Sequence, residues 1–125
     1  VEITHSDLSA SIWNNPGEIP NNGVDDDNNG YIDDVNGFDV ADDDNDPNPD
    51  SPINSYDHGT HVAGIAGAQG NNRIGVSGVA WNTQLMVLDV FGGKPTYENS
   101  DLLDAIYYAV DNGAKVINMS QTAPK

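Results

Sequence analysis

The chain has 125 residues and carries 20 acidic side chains against four basic ones, a formal charge of −16. That balance excludes nucleic acid as a partner, because phosphate binding draws its free energy from Lys and Arg releasing counterions; anionic membrane surfaces are disfavoured for the same reason. No apolar run reaches the ~18 residues of a membrane span, and with no cysteine stability has to come from packing or bound metal.

The length suits one domain, residues 1–125. No signal peptide opens it, so the expectation is a mature or excised segment. Residues 1–19 are mixed in character, with Ile12-Trp13 as an apolar anchor. Residues 20–56 form an acidic insert rich in Asp, Asn, Pro and Gly, with Asn-Gly pairs at 22–23, 29–30 and 36–37. That chemistry predicts turns. From Asp25 to Asp50 there are eleven Asp residues and no Lys or Arg. Such a run is either a solvated acidic loop or a segment given a fixed shape by divalent cations. Gly37 to Val40 predicts a short strand within it.

After Asp57 the character changes. His58-Gly-Thr-His-Val-Ala-Gly-Ile-Ala-Gly-Ala68 is poor in polar groups and rich in small ones, which predicts a buried helix lying close on a sheet, ended by Asn71-Asn72-Arg73. Gln84 to Phe91 predicts a buried strand of the parallel kind, closed by Gly92-Gly93-Lys94-Pro95. Ser100 is the expected N-cap of a helix running to Asn112, with an apolar stripe of Leu102, Ala105, Ile106, Ala109 and Val110 and a stop at Gly113. Lys115 to Ser120 predicts a further strand. Strand, helix and strand over about 35 residues make a βαβ unit, so the class is α/β with a parallel sheet.

Two features carry chemistry. In Asp57-His58-Gly59-Thr60-His61 an imidazole stands at a helix start, where the backbone dipole favours the neutral form that a general base needs. A structural histidine and a metal pair at 58 and 61 are the competing readings; the intervening Glu of the familiar zinc helix is missing. Asp25-Asp-Asp27-Asn-Asn29-Gly30-Tyr31-Ile32 matches the front half of an EF-hand-type loop. Side-chain oxygens of Asp25, Asp27 and Asn29 and the Tyr31 carbonyl converge on a cation, with Ile32 as anchor. Position twelve is Asn36 rather than Glu, so Asp33 or Asp34 has to supply the remaining carboxylate. Asp39, Asp44, Asp46 and Asp50 read as a solvated face, with further weak cation sites as the alternative.

His58 to Gly67 resembles the histidine motif of the subtilisin family of serine proteases. Val1 to Leu8, Ile74 to Ala80, the 84–91 strand and Ala105 to Ser120 follow in that family's order, and the acidic insert is similar to that of its calcium-dependent bacterial members. The resemblance implies an incomplete, parallel-sheet subtilisin-like fold, about the first half of a catalytic domain. It also implies an extracellular endopeptidase acting on protein or peptide substrates, with His58 as general base and His61 packed inside the helix. A second calcium site is implied at Asp7 and Asn72 through side chains and at Gly70, Ile74 and Val76 through carbonyls, with Arg73 pointing outward. Substrate edges are implied at Gly92, Gly93, Ser120, Gln121 and Thr122, where Ser-Gln-Thr-Ala stands in place of the family's Ser-Leu-Gly-Gly. No Gly-Thr-Ser-Met-Ala and no Asp-Thr-Gly is present, so the isolated chain is expected to be inactive, with a propeptide or the remainder of a catalytic domain as partner. The alternative is a non-catalytic calcium-binding or interaction module.

Overall fold

A computed structural model describes residues 1–50 and 57–121. Thr122 and part of the acidic insert therefore lie outside the described residues. The regular elements are β1 (Gly37–Asp39), α1 (Asp57–Gly67), β2 (Val87–Asp89) and α2 (Asn99–Asp111), preceded by a single 3-10 turn, Ser9–Ser11.

β1 and β2 pair in parallel, with Gly37 opposite Val87 and Asp39 opposite Asp89. The ladder continues beyond both strands. Leu85 donates its N–H to Ser11 O and accepts that of Trp13, and Val40 donates to Asp89 O. The Ile12-Trp13 anchor is therefore a strand-like partner of β2 joined through a parallel bridge at Leu85. Gly37 sits at φ +118°, and a Cβ there would come 1.8 Å from Val87 O. Only glycine lets the two backbones approach this closely.

The strand–helix–strand unit is thus β1–α1–β2, one element earlier than expected. The predicted strand at Lys115 to Ser120 has no ladder partner among the described residues, and Val116 is 85% exposed. An apolar run becomes a strand only where another backbone satisfies its amides, and among the described residues none does. The expected burial of α1 is also corrected. Gly64 and Gly67 are its buried residues, whereas Ile65 is exposed. A Cβ at Gly67 would lie 2.6 Å from the Thr83 side chain, so the glycine face is the one that packs.

α2 closes over the sheet through Ala105, which joins Val90 and Tyr97 in a small core flanked by Val40, Leu88, Phe91 and Leu102. Its N-cap is Glu98, not Ser100, and makes no side-chain capping bond. Ser100 Oγ instead donates to Asp101 Oδ1 at 3.1 Å. Helix hydrogen bonding begins earlier than the capping residue suggests, since Leu102 N–H already reaches Glu98 O. The buried stripe is Ala105, Tyr108 and Ala109, with Val110 exposed.

Candidate active site and metal centres

α1 opens at Asp57 and places His58 in its first turn with the imidazole exposed. The chain start braces this turn, as Glu2 donates its N–H to Thr60 Oγ1 at 2.9 Å. A Cβ on Gly59 would meet Val1 only at ordinary contact distance. The other end of α1 is fixed by a returning segment. Ile65, Ala66 and Ala68 carbonyls accept the N–H groups of Val79, Ala80 and Gly78, satisfying carbonyls that a helix end leaves open. His61 is exposed too, so it does not pack inside the helix as expected. Among the described residues, no group of three or more metal-ligating side chains includes either histidine.

The loop after α1 closes on Asp7, whose side chain is buried. Asp7 Oδ1 accepts from Asn72 Nδ2 at 2.7 Å and Oδ2 accepts from Val76 N at 2.8 Å. Those bonds, the Asn72 amide first, hold its carboxyl below the usual carboxylate range. Gly75 (φ +49°) passes so close that a Cβ would come 2.3 Å from Asp7 Oδ2. Asn72 Oδ1 accepts from Ile74 N, and Arg73 is exposed at φ +64°. Of the residues predicted in this loop, Asn72 and Val76 meet the buried Asp7 carboxylate, through the Asn72 amide and the Val76 N–H, while Gly70 lies against Trp81.

Glu18, just ahead of the acidic insert, and Asp27 and Asp34 within it bring carboxylate oxygens within 4.8 Å of one another. Asn15 Nδ2 donates to Asp27 Oδ2 and Asp34 Oδ1, each at 3.0 Å, and Asn29 Nδ2 donates to Asp34 Oδ2 at 2.9 Å. Glu18 collects the backbone N–H groups of Asp26, Asp27 and Asp33. The three carboxylates offer oxygen donors of the kind that suits a hard cation such as calcium, while Asn15 and Asn29 turn their Nδ2 groups to them and their Oδ1 atoms to the N–H groups of Gly17 and Tyr31. Of the predicted ligands, Asp27, Asn29 and Asp34 meet here. Asp25 spends its oxygens on the N–H groups of Asn29 and Gly30. Ile32 is exposed and anchors nothing. The anchor is Tyr31, whose ring meets Phe38 and Tyr108 edge to face with centroids 4.8 and 4.9 Å away.

Glu18 and Asn15 were not foreseen. The available signal was that Glu18 is the single carboxylate between Asp7 and Asp25, just after an Asn-Pro-Gly turn. Tyr108 was missed as well. From α2 its hydroxyl donates to Asp34 Oδ2, and burial followed by that bond pushes the phenol up.

A second acidic group joins Asp39, Asp42 and Asp50. Asp39 is 1% exposed, which corrects its reading as part of a solvated face. Its Oδ1 accepts from Ala41 N and Asp42 N, while Oδ2 has no partner. Burial, reinforced by Asp89, raises its carboxyl to about 6.

Gly92 and Gly93 follow β2 as a left-handed turn (φ +51° and +66°) against Asp42 and Asp50. Lys94 pairs with Asp42 at 3.5 Å. Ser120 is exposed and Gln121 half-buried.

The Subtilase family model matches residues 1–125. The chain belongs to the subtilase family. It is 43% identical over 83 residues to a thermophilic serine proteinase of Bacillus sp. (strain AK1), covering 66% of this chain and 20% of that protein. It is 35% identical over 120 residues to halolysin of Haloferax mediterranei, covering 96% of this chain and 19% of halolysin. Thermitase of Thermoactinomyces vulgaris is 38% identical over 73 residues, 58% of this chain and 26% of thermitase. The chain thus spans about a fifth of the first two relatives' length. Its helices and two-stranded parallel sheet are a partial α/β subtilase domain.

Proposed function

We propose that residues 1–125 are one partial peptidase domain of a secreted, calcium-stabilised subtilisin-like serine endopeptidase, with the acidic insert at about 20–56. The observation that carries this reading is His58, exposed in the first turn of α1 within His58-Gly59-Thr60-His61, in a chain matched from end to end by the subtilase family. A non-catalytic calcium module has no use for an open imidazole on a helix braced at both ends.

In this mechanism His58 accepts the proton of a serine hydroxyl as that oxygen attacks the peptide carbonyl, then returns it to the leaving amine. The serine, the orienting Asp and the oxyanion donors belong to the rest of the catalytic domain, so the isolated chain is inactive. The substrate peptide runs along Gly92–Pro95 and Ser120–Thr122, adding as a strand. Glu18, Asp27, Asn29 and Asp34 hold one calcium ion, with Asp25 shaping the loop and Tyr31 anchoring it. Asp7, Gly70, Asn72, Ile74 and Val76 hold a second. Bound calcium supplies the positive charge that offsets these carboxylates. Secretion is supported by the kinship with Nep of Natrialba magadii, whose name describes an extracellular protease.

A fluorophosphonate probe, which captures only an activated serine, tests the assignment in the longer parent polypeptide. The wild type takes up one label and His58→Ala takes up none. Equal labelling of the two would remove His58 from the chemistry and favour the calcium-module reading.

A further inference from the structure

Asn-Gly pairs are chemically fragile in an open chain. The Gly nitrogen, once its proton passes to solvent base, attacks the Asn Cγ. A C–N bond forms, the Cγ–Nδ2 bond breaks and ammonia leaves. Water then opens the succinimide to aspartate or isoaspartate. The step needs a free Gly N–H and a side chain able to swing towards it.

Of the three such pairs in the acidic insert, those at 22–23 and 29–30 are held by the same device, whereas Gly37 N–H turns to the Asp34 carbonyl. Gly23 donates its N–H to Asp33 Oδ2 at 2.9 Å, while Asn22 Oδ1 accepts from Val24 N at 2.8 Å. Gly30 donates its N–H to Asp25 Oδ2 at 2.9 Å, while Asn29 Oδ1 accepts from Tyr31 N at 2.8 Å. Deprotonating an amide that faces a carboxylate places two negative charges in contact, which opposes the first step. The second bond turns the carboxamide towards residue i+2 and away from the attacking nitrogen. We propose that Asp33 and Asp25 are guard residues that keep Asn22 and Asn29 from deamidating in the folded chain, and that Asn22 is the modification site exposed when its guard is lost. Asn22 Nδ2 now donates to Asp26 Oδ2 at 2.7 Å. A carboxylate created there would repel Asp26 instead, so the lesion would prevent the turn from closing again.

Peptide mapping by mass spectrometry tests this on the chain kept folded in chelator at mildly alkaline pH. Asp33→Ala speeds deamidation of Asn22 by about ten- to a hundredfold, the range that loss of one charge-assisted hydrogen bond to its Gly N–H corresponds to, and leaves Asn29 unchanged. Asp25→Ala does the reverse. Each asparagine is thus the internal control for the other. If both sites accelerate together in either variant, if neither moves, or if the folded wild type deamidates as fast as the chain in urea, the proposal fails.

Discussion

Asp39 has one oxygen bonded to two backbone amides and the other buried without a partner, close to Asp42 and Asp50. Its folded carboxyl is raised from 3.8 to about 6, so between those values the folded chain binds more protons than the unfolded one. Stability therefore falls as pH rises through that window. Asp39→Asn keeps the acceptor for Ala41 and Asp42 and turns the unpartnered oxygen into a donor facing carboxylates. In chelator it should raise the melting temperature above pH 6 and make little difference near pH 4; parallel melting curves across that range would contradict this. Asp7 has the opposite sign, since its carboxyl is held down and its stabilising bonds are lost as pH falls. At this scale the sequence was legible where residues are neighbours in a motif, as in the first turn of α1 with His58 and in the loop whose Asn72 and Val76 meet Asp7. Glu18, Asn15 and Tyr108 come from other segments, and only folding brings them to Asp34.

The two helices do different work. α1 presents His58 at one end and has its C-terminal carbonyls paired by residues 78–80, so its position depends on the loop held by Asp7. α2 reaches across the sheet and, through Tyr108, donates to a buried aspartate of the acidic insert. Tyr108→Phe removes that donor and should destabilise the metal-free chain by about 1.5–3 kcal/mol, the range for hydrogen bonds to charged groups, as read by urea unfolding. Calcium should raise the wild-type melting temperature by binding the folded state alone, and Asp27→Asn should abolish most of that rise. A wild-type melting temperature indifferent to calcium would argue against the metal centre. Both helices and the middle of each paired strand were readable from periodicity and small-residue patterning. The 115–120 strand was not, because its apolar alternation says nothing about whether a partner backbone lies beside it. The cap at Glu98 was missed because it uses no side-chain bond, so the serine that normally marks such a position pointed two residues too far.

Across the whole molecule the fold class was legible, because parallel strands joined through a helix leave a pattern in the sequence. Burial was less so. Val79, Trp81, Val116 and Met119 are exposed apolar residues, and a chain spanning about a fifth of its first two relatives supplies only part of the packing that such residues have in a complete domain. What remains organised is an open imidazole on a helix braced from both ends, and separate loops whose carboxylates are gathered. The most direct test is peptide hydrolysis by the longer parent polypeptide with and without His58. His58→Ala should lower kcat/KM by about 10⁴-fold or more while leaving the calcium-dependent melting temperature in place. Hydrolysis at an undiminished rate would contradict this.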